Sequence, residues 1–222
     1  MKFLFCKFFI RLMVINMLIK KIEELKNSEI KDVIDKRIQE FKSFKNKSNE
    51  EWFKELCFCI LTANFTAEGG IRIQREIGDG FLTLSKEELE EKLKKLGHRF
   101  YRKRAEFIVL ARRFKNIKDI VKSFEDEKVA REFLVRNIKG IGYKEASHFL
   151  RNVGYDDVAI IDRHILRELY ENNYIDEIPK TLSRKKYLEI ENILRDIGEK
   201  VDLKLSELDL YIWYLRTGKV LK

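Results

Sequence analysis

Proline is almost missing from this chain, with Pro179 standing alone in 222 residues. Helices therefore meet few forced interruptions. Cysteine is scarce as well. Cys6, Cys57 and Cys59 cannot all pair, form no disulfide framework, and lack the four-ligand spacing of zinc or an iron–sulfur cluster. A reducing cytoplasm is the expected compartment. His98, His148 and His164 share no metal-ligand spacing, and no catalytic metal or redox cofactor is expected. No apolar run is long enough to span a bilayer. The most apolar segment, MKFLFCKFFIRLMVINML at the N-terminus, is interrupted by Lys2, Lys7 and Arg11. It also lacks the small-residue cleavage site of a signal peptide. It reads as a surface amphipathic segment, as part of the core, or as an extension upstream of a start at Met17. The helical charge pattern begins at Met17, which favours an extension over residues 1–16.

Sustained apolar/polar alternation and internal repeats are absent too, which turns the reading away from strands and solenoids. What remains is a chain with 45% hydrophobic residues and Lys/Glu-rich segments of helical period. The 46 Lys+Arg exceed the 37 Asp+Glu by nine, and the isoelectric point is near 9.3. Such a balance suits nucleic acid or an anionic membrane surface. It is equally common in charge-rich, heat-adapted surfaces. Helical segments are expected over 22–44 and 50–61, in a further stretch ending near Ile77, from Ser85 to Gly97, over 101–114 with Phe107, Leu110, Ala111 and Phe114 on one stripe, and over 124–137 and 162–171. Two more open at Ser183 and Ser206. The 50–61 helix is expected to be central, with Trp52, Cys57 and Cys59 in the core. The fold class is all-α, with about ten helices in two lobes that meet at a cleft. Residues 17–50 and 165–222 would form a terminal lobe. Residues 51–164 would form a central lobe that carries a helix-hairpin-helix over about 129–153 and the catalytic aspartate.

The informative stretch is 135–166. Ile138-Lys139-Gly140-Ile141-Gly142 places two glycines in a tight turn directly before a helix. Backbone N–H groups of such a turn, together with a helix N-terminus, hold a phosphate. Ile138 and Ile141, with the stripe Ala146, Phe149, Leu150 and Val153, can pack the flanking helices together. This is the pattern of a helix-hairpin-helix, which grips DNA backbone without reading bases. Lys144 lies at the mouth of the second helix. A cation there is locally unfavourable, and the same repulsion, with burial, favours the neutral amine of a nucleophile. Asp162 can cap the next helix. It can also stabilise positive charge or relay a proton.

GIGYKEAS followed by VAIIDRHI resembles the DNA glycosylase superfamily that includes endonuclease III. The resemblance implies that Lys144 attacks the sugar C1′ and that Asp162 assists. Two departures matter: no proline lies between Gly154 and Asp162, and the four-cysteine cluster of endonuclease III is missing. The lysine also separates the chain from the adenine-mismatch branch. The segment ILTANFTAEGG and the C-terminal ELDLYIWYLRTGKVLK extend the resemblance, from Met17 onwards, to the archaeal second-type 8-oxoguanine DNA glycosylase/lyases.

That resemblance implies roles for the flanking residues. Asn64, in a break after an apolar helix, would fill the void left by a flipped nucleotide. Trp213 lies off the stripe Leu208, Tyr211, Ile212 and Leu215, beside Asp209 and Arg216, and suits a binding wall. Phe100 would face it across the damaged base, with Asp209 and the Lys222 region completing the pocket. Lys139, Gly140, Gly142 and His164 would contact the DNA backbone. The basic clusters 102–104 and 184–186 read as solvated faces with some phosphate contact. A monovalent ion in the hairpin is a further family feature. The expected activity is a bifunctional glycosylase/lyase that removes 8-oxoguanine from double-stranded DNA as a monomer. Two rivals are the same chemistry on another oxidised base and a non-catalytic helix-hairpin-helix DNA-binding module, which would have no use for Lys144 with Asp162.

Overall fold

The structure, a computed structural model, describes residues 17–222. Residues 1–16, where an extension upstream of Met17 is expected, lie outside them. The described residues form helices and connecting turns, with no strand among them. Helix α1 covers 17–26 and α2 covers Ile30–Phe44. They are followed by α3 (Asn49–Thr62), α4 (Ala67–Ile77), the single turn α5 (Gly80–Thr83), α6 (Lys86–Lys95) and α7 (Tyr101–Ala111). A 3₁₀ turn, Arg112–Phe114, leads to α8 (Ile117–Lys122), α9 (Glu127–Asn137) and α10 (Tyr143–Asn152). The chain closes with α11 (Arg163–Glu171), α12 (Arg184–Lys200) and α13 (Leu205–Thr217). None of these helices is long and apolar enough to cross a membrane.

Two compact units result. The central one holds Glu40–Val158 with Leu221–Lys222, and the terminal one holds the described residues up to Gln39 with Ala159–Val220. The central unit is built around α3, which packs against α4, α5, α7, α8 and α10. Trp52, Phe53 and every residue from Leu56 to Leu61 are fully buried. Burying each large apolar side chain contributes about 1.5–3 kcal/mol, and α3 concentrates that term in one helix. Cys57 and Cys59 belong to this core; burial pushes both thiols well above their ordinary range, so they stay protonated and unreactive. In the terminal unit α13 packs against α11 and α12. The apolar stripe of α12 is buried through Tyr187, Ile190, Leu194 and Ile197.

The boundaries differ from those expected at 50/51 and 164/165. Residues 40–50 join the central unit because the Trp52 indole donates to Phe44 O (2.9 Å) and the Arg151 guanidinium lies 4.5 Å over the Phe41 ring. Residues 159–164 join the terminal unit, held there by α12. Asp162 is therefore a residue of the terminal unit. Three local readings also change. Ser206 is the second residue of α13 and buried, while Lys204 occupies the cap position. Leu110 is exposed, because α7 buries the face of Ala105, Ile108 and Ala111. Arg104 is buried on that same face, whereas Arg102 and Lys103 are exposed as expected.

Candidate functional site

The hairpin forms where the two glycines stand. Helix α9 ends at Asn137, Ile141 N–H closes the turn on Ile138 O (3.3 Å), and α10 begins at Tyr143. Gly140 sits at φ +85°, in the left-handed region that favours glycine. A Cβ there would also lie 2.4 Å from Cδ2 of Phe107, so α7 leaves no room for a side chain. Gly142 is extended (φ −100°) and exposed, and its N–H donates to the Glu145 carboxylate (3.2 Å). Ile138 and Ile141 are buried, as are Ala146, Phe149, Leu150 and Val153, so the expected stripe does clamp the hairpin. Two polar ties add to it: Arg131 donates to Ser147 Oγ (3.2 Å) and Tyr143 OH donates to Glu132 (2.7 Å). Lys139 is left exposed at the turn.

Lys144 is the second residue of α10. Its side chain is 27% exposed, and Nζ pairs with Glu145 Oε1 at 3.2 Å. Glu145 thus bridges the hairpin turn and the lysine, with one carboxylate oxygen on each. One turn along α10 lies His148. Burial pushes its imidazole well below the ordinary range, helped by the cations Arg151, Lys144 and Lys222, so the ring is neutral. It packs edge-on against Phe58 (5.5 Å), and the Lys222 ammonium sits over that same phenyl ring (4.4 Å).

Lys222 is anchored inside the central unit. Its Nζ donates to Glu55 Oε2 (2.8 Å) and to Gln74 Oε1. Glu55 is buried and also accepts from Asn152 Nδ2 (2.7 Å) and Gln74 Nε2 (3.0 Å). A buried carboxylate needs this many partners, since an unpaired one would cost several kcal/mol. Asn64 follows α3 in an exposed turn at φ +60°, a conformation that asparagine tolerates better than most residues. Its carbonyl accepts from Arg99 (3.2 Å), and the preceding carbonyl, Ala63, accepts from buried Arg104 (2.6 Å). Phe100 is 42% exposed at the mouth of α7, with the Arg99 guanidinium 4.6 Å over its ring.

Asp162 caps α11 in the terminal unit. One carboxylate oxygen accepts from His164 N–H (2.8 Å) and Ile165 N–H (2.9 Å). The approach to it is held by α12: Glu191 accepts from Ala159 N–H (2.8 Å), and Tyr187 OH donates to Ala159 O (2.7 Å). The Tyr187 oxygen also accepts from Ile161 N–H (3.3 Å). His164 stands edge-on to Trp213 (4.7 Å, 69°), so the residue expected at the DNA backbone supports the expected pocket wall. Trp213 is half-buried, and its indole N–H is buried without a hydrogen-bond partner. Asp209 and Ile212 line a small recess with Ile160, Ile165 and Leu208. Arg216 ties α13 to α11 through Glu168 (3.1 Å) and Glu171 (2.5 Å).

The expected residues thus fall into two groups. The hairpin, Lys144, Asn64, Phe100 and Lys222 lie in the central unit, and Asp162, His164, Asp209 and Trp213 lie in the terminal one. Sequence reasoning missed Glu55, Glu191 and His98. The first two are carboxylates on otherwise buried helix faces, a signal open to a closer reading. No group of His, Cys, Asp and Glu among the described residues could hold a metal ion.

Residues 34–203 match the family described as 8-oxoguanine DNA glycosylase. The "8-oxoguanine DNA glycosylase/AP lyase" of Methanocaldococcus jannaschii is 95% identical over 206 residues, which is 93% of this chain and all of that protein. The protein of the same name from Korarchaeum cryptofilum is 55% identical over 92% of this chain and 98% of its own. A solved structure of the Methanocaldococcus jannaschii 8-oxoguanine glycosylase/lyase, in complex with a 15mer DNA containing 8-oxoguanine, superposes with a TM-score of 0.92. It is 94% identical and covers 93% of this chain and 100% of that one. By its sequence, its helix-hairpin-helix and its all-helical fold, this chain belongs to the 8-oxoguanine DNA glycosylase family.

Proposed function

We propose that this chain is a bifunctional 8-oxoguanine DNA glycosylase/AP lyase, acting as a monomer on double-stranded DNA in a reducing cytoplasm. The observation that carries the chemistry is Lys144, a part-exposed amine on the second residue of the helix that follows the hairpin. Lys139 and the turn at Gly140 hold a phosphate, the Ile141 and Gly142 N–H groups being taken within the hairpin, and this sets the sugar-phosphate chain beside Lys144. Asn64 fills the gap left by the extruded nucleotide. Phe100 and Trp213 stack on the damaged base, and Asp209 and Lys222 close around it.

Lys144 gives up a proton, and its nitrogen forms a bond to C1′ as the bond from C1′ to the base nitrogen breaks. The electron pair leaves with the base, which takes up a proton. Asp162 stabilises the positive charge that builds on the sugar. Ring opening gives an iminium between Nζ and C1′. Loss of a proton from C2′ then expels the 3′ phosphate, and hydrolysis frees the lysine. Borohydride reduces that iminium, so the protein should form a covalent adduct with an 8-oxoguanine duplex and Lys144→Gln should form none. Binding without an adduct would sink the lyase reading. A panel of lesion duplexes, each with every opposite base, distinguishes 8-oxoguanine from another oxidised base as the preferred substrate.

A further inference from the structure

We propose that His98 is a positioning residue for base excision, one imidazole that sets the turn carrying Asn64 and the stacking ring of Phe100 in a common register. The proposal rests on the base-pocket and void-filling roles proposed above for Phe100 and Asn64.

His98 is buried between the two features, with a bond to each. Nε2 lies 2.9 Å from Leu61 O, near the end of α3, and Nδ1 accepts from Phe100 N–H at 3.2 Å. A carbonyl requires a proton on Nε2, and an N–H donor requires a bare Nδ1. The ring is therefore neutral and held in one tautomer. Burial keeps it so, pushing the imidazole below its ordinary range; the Leu61 carbonyl opposes this, and Arg104 and Arg99 reinforce it. The ring also stacks on Phe65, the residue after Asn64 (4.3 Å, 28°). Arg99 and Arg104 grip the carbonyls of Asn64 and Ala63. Asn64 stands at positive φ, a turn conformation that asparagine tolerates, and these contacts hold its backbone in place.

The two chemical steps need this arrangement differently. Excision requires a base stacked on Phe100. Nicking at a pre-formed abasic site has no base to stack, and Lys144 lies on α10, away from the His98 bonds in sequence. His98→Phe keeps the ring stack on Phe65 and removes both hydrogen bonds. In single-turnover reactions with enzyme in excess, excision of 8-oxoguanine should fall about a hundredfold, the scale of a displacement near 1 Å. Nicking of an abasic duplex should stay within about threefold of the parent. His98→Gln, whose amide can still donate to Leu61 O, should recover about tenfold of the loss. Phe100→Ala should show the same split, and the H98F/F100A pair should be no worse than either alone. Equal losses in excision and nicking would mean a structural role and overturn the proposal, as would unchanged excision. If H98F does not fold, H98Q is read by the same ratio of excision to nicking. A parent protein that nicks abasic sites without excising 8-oxoguanine would instead refute the proposed function.

Discussion

Gly140→Ala tests whether the hairpin depends on its backbone or only on its charge. Two penalties combine at this position. An alanine at φ +85° costs about 1–2 kcal/mol relative to glycine. Its Cβ would sit 2.4 Å from Phe107 Cδ2, and displacing that ring from a packed site costs a further ~1–3 kcal/mol. The sum, about 2–5 kcal/mol, corresponds to a fall in Tm of roughly 5–15 °C for a chain of this size. Gly142 provides the control within the same turn. It is extended, and its Cβ would meet only the flexible end of Glu145 at 3.2 Å, so Gly142→Ala should cost below ~1 kcal/mol. Adding Phe107→Leu to Gly140→Ala should return the steric part and leave the dihedral part, a coupling of about 1–2 kcal/mol in a double-mutant cycle. Thermal melts of the parent, the three single variants and the double variant measure all of this. If G140A melts within a degree of the parent, or G142A costs as much as G140A, then the left-handed turn and the Phe107 contact do not determine the hairpin.

Other outcomes follow from the same geometry. Asp162→Asn keeps an oxygen for the His164 and Ile165 N–H groups, so its Tm should stay near that of the parent, while Asp162→Ala loses about 1–2 kcal/mol; both should lose excision if the charge matters. Glu127 is pushed up to about 7 by burial and then by Asp156, against an ordinary 4.5. The folded state therefore binds the extra proton, and stability present below pH 4.5 is lost as pH rises to about 7. Discounted for partial exposure, that loss is about 1–2 kcal/mol, and Glu127→Gln should flatten the profile in denaturant melts at pH 5 and pH 8. Lys222→Met removes the ammonium from buried Glu55 and should destabilise by ~2–4 kcal/mol; adding Glu55→Gln should restore much of it.

The fold class and the hairpin were legible because both are written in local signals. Helical period, glycine spacing and a Ser85–Glu88 capping box depend on neighbours within a few residues, and the structure forms that box. The short helix α8 escaped notice, being only 6 residues long with too little period to register. Arg104 was misread because it follows two exposed basic residues, yet the helix turns it onto the face of Ala105 and Ile108. There the Ala63 carbonyl, 41 positions earlier, gives it a partner that no local pattern encodes. His98 is hidden for the same reason. Its spacing excludes a metal site, and its acceptor, the Leu61 carbonyl, lies 37 positions earlier in the chain.

Three buried carboxylates carry the longest-range part of the design. Glu55 holds Lys222, Glu191 holds the strand of chain that leads to Asp162, and Glu168 holds Arg216 on the helix of Trp213. Each sits on a helix face that is otherwise buried and largely apolar, where a leucine would cost nothing in desolvation. Burying a carboxylate is unfavourable unless several donors meet it, and apolar packing of the same volume is often as stable or more so. Stability alone therefore does not account for these choices. What a carboxylate supplies and a leucine cannot is direction: a donor must approach within about 3 Å and along a narrow range of angles. Lys222, the Ala159 amide and Arg216 are each fixed that way. The proposed Lys222, Asp162 and Trp213 are thus oriented from beneath by buried acids, directly or through the residues beside them.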